Sequence, residues 1–162
     1  MNYIIKGLVL TIFLSISSYA SSETINIDKL SKQSLKENKH VLIFFHMTYC
    51  PYCEKMINES FEDVEIKKVL KKYFIMVDVN TTDDENIIYK KFKGDKSDFA
   101  KMLNISFFPT VMFLDQKNNI THTVKGYRNK SKFKLILDFI KSKSYKEMDF
   151  NGYLDEIELN KD

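Results

Sequence analysis

Apolar positions along the chain follow two periods. Three stretches are apolar almost throughout and rich in β-branched and aromatic residues: 40–46 (HVLIFFH), 73–79 (YFIMVDV) and 111–114. Short apolar runs of this kind predict buried strands. Between them the apolar residues recur at helical spacing. Ile27, Leu30, Ser34 and Leu35 predict a helix over 27–38. Val64, Val69 and Leu70 predict one over 63–72. Ser97 is a candidate cap for a helix through Leu103 that buries Phe99, Met102 and Leu103. Phe133, Ile136, Leu137 and Ile140 share one face of a helix over 131–141. A further helix opens at Cys50 and runs to about residue 60. A turn at 115–119 joins the third strand to a fourth at 120–124, and Gly126 breaks the chain after it. Segment 81–96 is polar, with Ile87, Ile88 and Phe92 as its apolar points, and reads as an inserted surface helix. The last twenty residues are polar with scattered aromatics and read as a tail or a short docked helix.

Strands alternating with helices imply a parallel element, and a closing pair joined by a turn implies an antiparallel hairpin. The expected fold class is therefore α/β, a mixed central sheet with helices on both faces. With 162 residues there is room for one domain and a short appendage. A composition 44% hydrophobic and 29% charged excludes a disordered or collagen-like chain. The net charge of +3 comes from interspersed residues. No basic stripe suggests a nucleic-acid partner, and a monomer is expected.

The N-terminus changes the picture of where the chain works. Residues 1–6 are short and positive, 7–16 are nearly all apolar, and Ser18-Tyr19-Ala20 offers small residues at the two positions that a signal peptidase reads. This is the pattern of a removed secretory signal. The expected organisation is a signal peptide at 1–20, a domain at 21–142 and a tail or docked helix at 143–162. The mature protein is expected to be periplasmic or secreted, an oxidising environment for thiols.

The chain has two cysteines, Cys50 and Cys53, three apart at the start of a helix that follows a buried strand. Positions i and i+3 share a helix face, within reach of a disulfide. A thiolate at Cys50 would gain from the free N–H groups and dipole of the helix end. Pro51 suits the first helical turn, where its missing N–H costs nothing. Cys53, one turn in, would be the shielded thiol that resolves a mixed disulfide. Covalent haem attachment requires His after the second cysteine, where this chain has Glu54. A zinc site needs about four ligands, and His40, His46 and His122 are poorly spaced to supply them. A purely structural disulfide is the remaining alternative.

The strand VLIFF, the motif Tyr49-Cys50-Pro51-Tyr52-Cys53, the strand Ile75-Met76-Val77-Asp78-Val79, the triplet Phe108-Pro109-Thr110, Gly126 and the final helix together resemble the thioredoxin superfamily over roughly residues 27–141. Secreted or periplasmic thioredoxin-like proteins are the nearest in pattern. The resemblance implies a thioredoxin fold and a thiol–disulfide oxidoreductase, and segment 81–96 departs from it as a helical insertion before the cis-proline. Cys50 would be the nucleophile and Cys53 the resolving thiol. Pro109 would be the cis-proline, with Phe108, Tyr49, Pro51 and Tyr52 against the substrate. No cofactor is implied. The substrate would be a cysteine-containing protein or a small sulfur compound, with a membrane thiol reductase as electron donor. Three positions depart from the family pattern. Phe44 stands where thioredoxins bury an acid, Met76 stands nearest the place of its lysine partner, and Tyr49 replaces the tryptophan before the first cysteine.

His46 and Glu54 are candidates for proton relay, because one precedes the pair by four residues and the other adjoins Cys53. Met47 and Met56 add soft sulfur. With Cys50, Cys53 and His46 they define a rival reading, a periplasmic Cu(I)-binding or metallochaperone protein. Segment 81–96 is a candidate for partner selection.

Overall fold

The computed structural model describes residues 24–160, so the expected signal segment lies outside the described residues. The elements run β1 (Ile25–Asn26), α1 (Ile27–Lys36), β2 (His40–His46), α2 (Pro51–Met56), a π-helical turn (Ile57–Phe61), α3 (Val64–Tyr73) and β3 (Phe74–Asn80). Then come β4 (Asn86–Tyr89), β5 (Phe92–Asp95), α4 (Lys96–Met102), β6 (Thr110–Leu114), β7 (Ile120–Lys125), α5 (Lys130–Lys141), a 3₁₀ turn (Ser144–Lys146) and α6 (Phe150–Leu159).

The main sheet has the order β3-β2-β6-β7. β2 is the central strand because six of its seven residues are apolar or buried enough to be covered on both sides. It pairs in parallel with β3 and antiparallel with β6, and β7 closes the sheet antiparallel to β6. The pleat sends alternate β2 residues to opposite layers. Leu42 and Phe44 meet Met56, Ile66, Phe133 and Leu137 from α2, α3 and α5. Val41, Ile43 and Phe45 meet Ile27, Ile87 and Phe99 from α1, β4 and α4. The mixed sheet with helices on both faces is as expected.

The insertion is a hairpin, which corrects the expected helix. β4 and β5 pair antiparallel, and β1 adds to β4, making a second, three-stranded sheet. Ile87 and Tyr89 are buried while Asn86 and Ile88 are less so, a period of two that overrides the helix-like spacing of Ile87, Ile88 and Phe92. Gly94 stands opposite Ile87, and the Phe92 ring folds over it so closely that a Cβ would lie 2.9 Å from the ring. The hairpin is pinned to α4 by Lys96. Lys96 is 3% exposed, and its ammonium meets Asp83 at 3.1 Å and Glu85 at 2.6 Å. Burial pulls its pKa down, but the two carboxylates outweigh burial and leave it above the usual lysine value.

Smaller differences have local causes. α4 is capped by Asp95, whose carboxylate accepts from Asp98 N–H at 2.7 Å, so the helix starts before Ser97 and turns Met102 outward. In α3 the buried pair is Ile66 and Leu70, one turn apart, and Val64 in the first turn faces solvent. The C-terminal residues form a docked helix: Phe150 and Tyr153 of α6 pack on Phe139 of α5. That helix half-buries His122 among Phe113, Phe139 and Phe150.

Candidate functional site: a disulfide at a helix N-terminus

β2 delivers the chain to one end of the sheet, and loop 47–49 carries it to Cys50. Cys50 caps α2 with extended backbone, and Pro51 occupies the first helical position. Its Sγ accepts the Cys53 N–H at 3.2 Å. This is the contact that would stabilise a thiolate there. Cys50 and Cys53 are joined in a disulfide with Cα atoms 5.2 Å apart. Cys53 is 1% exposed and belongs to the apolar layer with Phe44 and Met56, while Cys50 is only partly covered. One sulfur is therefore open to attack and the other is shielded.

Around the pair the surface is apolar without being buried. Tyr49 is 92% exposed and Tyr52 65%, and Met47 and Phe107 are also exposed. Phe107 was not picked out from the sequence as a rim residue. Tyr49 adopts a left-handed backbone (φ 59°), a costly conformation for a bulky side chain. Phe108 is half-buried between the two apolar layers, and Pro109 is buried. The Phe108–Pro109 peptide is cis. The register of β6 on β2, Thr110 opposite Phe45, sets Pro109 level with the end of β2 from which loop 47–49 departs. The Pro109 carbonyl accepts the N–H of Gly126 at 2.7 Å. Gly126 has φ 85°, and a Cβ there would press on the Phe107 ring.

The proton-relay candidates part company. His46 stacks on Phe44, with ring centroids 5.0 Å apart, and its Nε2 meets the Asp78 carboxylate. Asp78, 32 residues away in sequence, was not anticipated. Glu54 is exposed in the first turn of α2, where a negative charge suits the helix dipole. Phe44 is buried at the family's acid position, and Met76 is exposed on β3. Thr48, Asn80 and Thr82 form a further unanticipated polar group beside loop 47–49. Its only sequence signal is the polar run Asn80-Thr81-Thr82 just past a buried strand, at the end of the sheet where open α/β folds build sites.

The five donors of the copper reading are dispersed. Met56 is fully buried under α2, Met47 is exposed on the loop, and the His46 ring turns to Asp78. Among the described residues, no group of three or more His, Cys, Asp or Glu side chains is arranged to hold a metal ion.

A central sheet of this order, flanked by helices, with a CxxC disulfide capping the helix after its central strand, defines a protein of the thioredoxin fold. The family model described as Thioredoxin-like domain matches residues 27–141, and the chain belongs to that family. Among solved structures it is similar to a thioredoxin-fold protein from Helicobacter pylori, with TM-score 0.64, 20% identity, and coverage of 82% of this chain and 94% of that one. It is also similar to a thioredoxin from Thermus thermophilus, with TM-score 0.58, 18% identity and coverage of 73% and 85%. The oxidoreductase DsbH gives TM-score 0.53 and 16% identity over 89% and 96%. At these identities the likeness is one of fold. No curated protein matches the chain.

Proposed function

We propose that the protein is an exported thiol–disulfide oxidoreductase acting on cysteine-containing proteins or small sulfur compounds outside the cytoplasm. The observation that carries the reading is the asymmetric pair: Cys50 caps α2 with the Cys53 amide on its sulfur, and Cys53 is buried behind it. In the reducing direction the Cys50 thiolate attacks a substrate disulfide. The Cys50–substrate bond forms and one substrate thiolate leaves. Cys53, losing its proton, then attacks the Cys50 sulfur, closes the intramolecular disulfide and releases the second substrate thiolate. Two electrons pass from the dithiol to the substrate, and oxidation of a substrate dithiol is the reverse.

In this reading Pro109 and Phe108 position the substrate backbone, and Tyr49, Pro51 and Tyr52 form the rim it crosses. Export is supported by the signal-like pattern of residues 1–20. An oxidising compartment would leave the pair oxidised, so reductase work requires a donor, for which a membrane thiol reductase is the fitting class.

The test is trapping. Cys53→Ser, expressed with its own leader, should accumulate mixed disulfides through Cys50 in the extracytoplasmic fraction, and the wild-type protein should reduce insulin without added metal. Failure of both would remove the reading, and tight retention of Cu(I) under competition by an inactive protein would replace it with the copper one.

A further inference from the structure

The loop that leads into the disulfide is fastened to the base of the insertion. Asn80 Nδ2 donates to Thr48 Oγ1 at 3.2 Å. Thr48 Oγ1 lies 2.6 Å from Thr82 Oγ1. Thr82 Oγ1 donates to Asn80 Oδ1 at 2.7 Å. The amide fixes the direction of the whole cycle: the Thr82 proton is spent on Asn80, so Thr48 must donate to Thr82, and each group gives one hydrogen bond and takes one around the ring. Asn80 Oδ1 also accepts the Thr82 N–H at 3.2 Å. Thr81 holds the other end of the loop, because its N–H (2.9 Å) and its hydroxyl (3.2 Å) both donate to the His46 carbonyl.

The residue immediately after this fastening is Tyr49. It has φ 59° and is 92% exposed, and the next residue is Cys50. A tyrosine gains nothing locally from the left-handed region, so surrounding structure must impose that conformation. The hydrogen-bonded ring holds Thr48, the residue just before Tyr49 in the same loop. The outcome is a phenol standing free in solvent beside the exposed sulfur, with Tyr52 and Phe107 also exposed at the rim.

We infer that Thr48, Asn80 and Thr82 are positioning residues: they clasp loop 47–49 so that Tyr49 is held out as a docking platform for a polypeptide substrate. This rests on the oxidoreductase reading and narrows its substrate class to an extended chain with apolar side chains flanking its cysteine. Several rings exposed about one disulfide offer contact to such a chain. A small sulfur compound would reach the sulfur and leave them uncovered.

The experiment compares insulin with hydroxyethyl disulfide as substrates, with dithiothreitol as electron source. Thr82→Val removes the hydroxyl and keeps the shape. It should raise KM for insulin by roughly threefold to tenfold, the factor that a modest lost hydrogen bond is worth, and leave turnover of hydroxyethyl disulfide at the wild-type rate. Thr82→Ser should restore the wild-type KM. Tyr49→Ala should raise the insulin KM, and the double variant should be no worse than Tyr49→Ala alone, because the clasp acts through Tyr49. Thr48→Val provides the same reading should Thr82→Val fail to fold. An unchanged insulin KM, equal losses on both substrates, or losses that multiply in the double variant would each overturn the clasp while leaving the oxidoreductase reading intact. A wild-type protein that turns over neither substrate would remove both.

Discussion

Cys53 is covered by the apolar layer of α2 and β2, whereas Cys50 lies at the helix end with an amide pointing at its sulfur. In the reduced protein, alkylation at neutral pH should therefore modify Cys50 faster than Cys53 by roughly tenfold or more, with a Cys50 pKa below the free-thiol value of about 8.5. Mass mapping of singly labelled protein checks this, and equal labelling would reverse the assignment. Phe44 bears on the same chemistry. A carboxylate buried near the pair would disfavour a thiolate, and here the position holds a phenylalanine in the layer that contains Cys53. The reduced form should therefore be favoured, and equilibration with a glutathione buffer should give a potential above the about −270 mV of thioredoxin. Cys50, Cys53 and Pro51 were legible in the sequence because strand, turn and helix start are local features. The partner of His46 was not: Asp78 is joined to it only by the parallel register of β2 and β3, which pairs Phe44 with Asp78. No spacing rule carries that information along the chain.

At the scale of elements, the strands and helices of the main layer could be read from period alone, because one face or both faces of each are buried. The insertion could not. Ile87, Ile88 and Phe92 fit a helix nearly as well as a hairpin, and what decided between them was tertiary: α4 supplies Phe99, which contacts both Tyr89 and Phe92. The hairpin is thus held by side chains it does not own, and Ile87 is its fully buried anchor. Ile87→Ala should cost about 2–4 kcal/mol of stability, measured by urea unfolding. A loss under about 0.5 kcal/mol, the usual range for surface changes, would mean that the hairpin is not part of the cooperative unit. α6 was equally ambiguous in sequence, since its contacts through Phe150 and Tyr153 depend on the aromatic surface that α5 presents.

For the whole molecule, pH sets a limit on stability through His40. His40 is 2% exposed, its ring packed between Phe74 and Tyr145. Burial, reinforced by the charge of Lys143, lowers its pKa from 6.5 to about 4. The unfolded chain binds this proton more readily, so stability is undiminished above about pH 6.5 and falls as the pH drops toward 4. The full loss is about 3 kcal/mol. Half-buried His122, lowered by burial and by Arg128, acts with the same sign. Urea midpoints between pH 7 and 4 should show the decline, and His40→Phe should make it shallower, the part due to His122 remaining. The chain has nine tyrosines and no tryptophan, so its ultraviolet emission is that of phenol alone. Tyr49 and Tyr52 flank Cys50 in the chain, and disulfides quench phenol fluorescence at short range. Reduction should brighten that emission, and Tyr49→Phe with Tyr52→Phe should abolish most of the change. The unlabelled protein would then report its own oxidation state, turnover by turnover, in a stopped-flow cell.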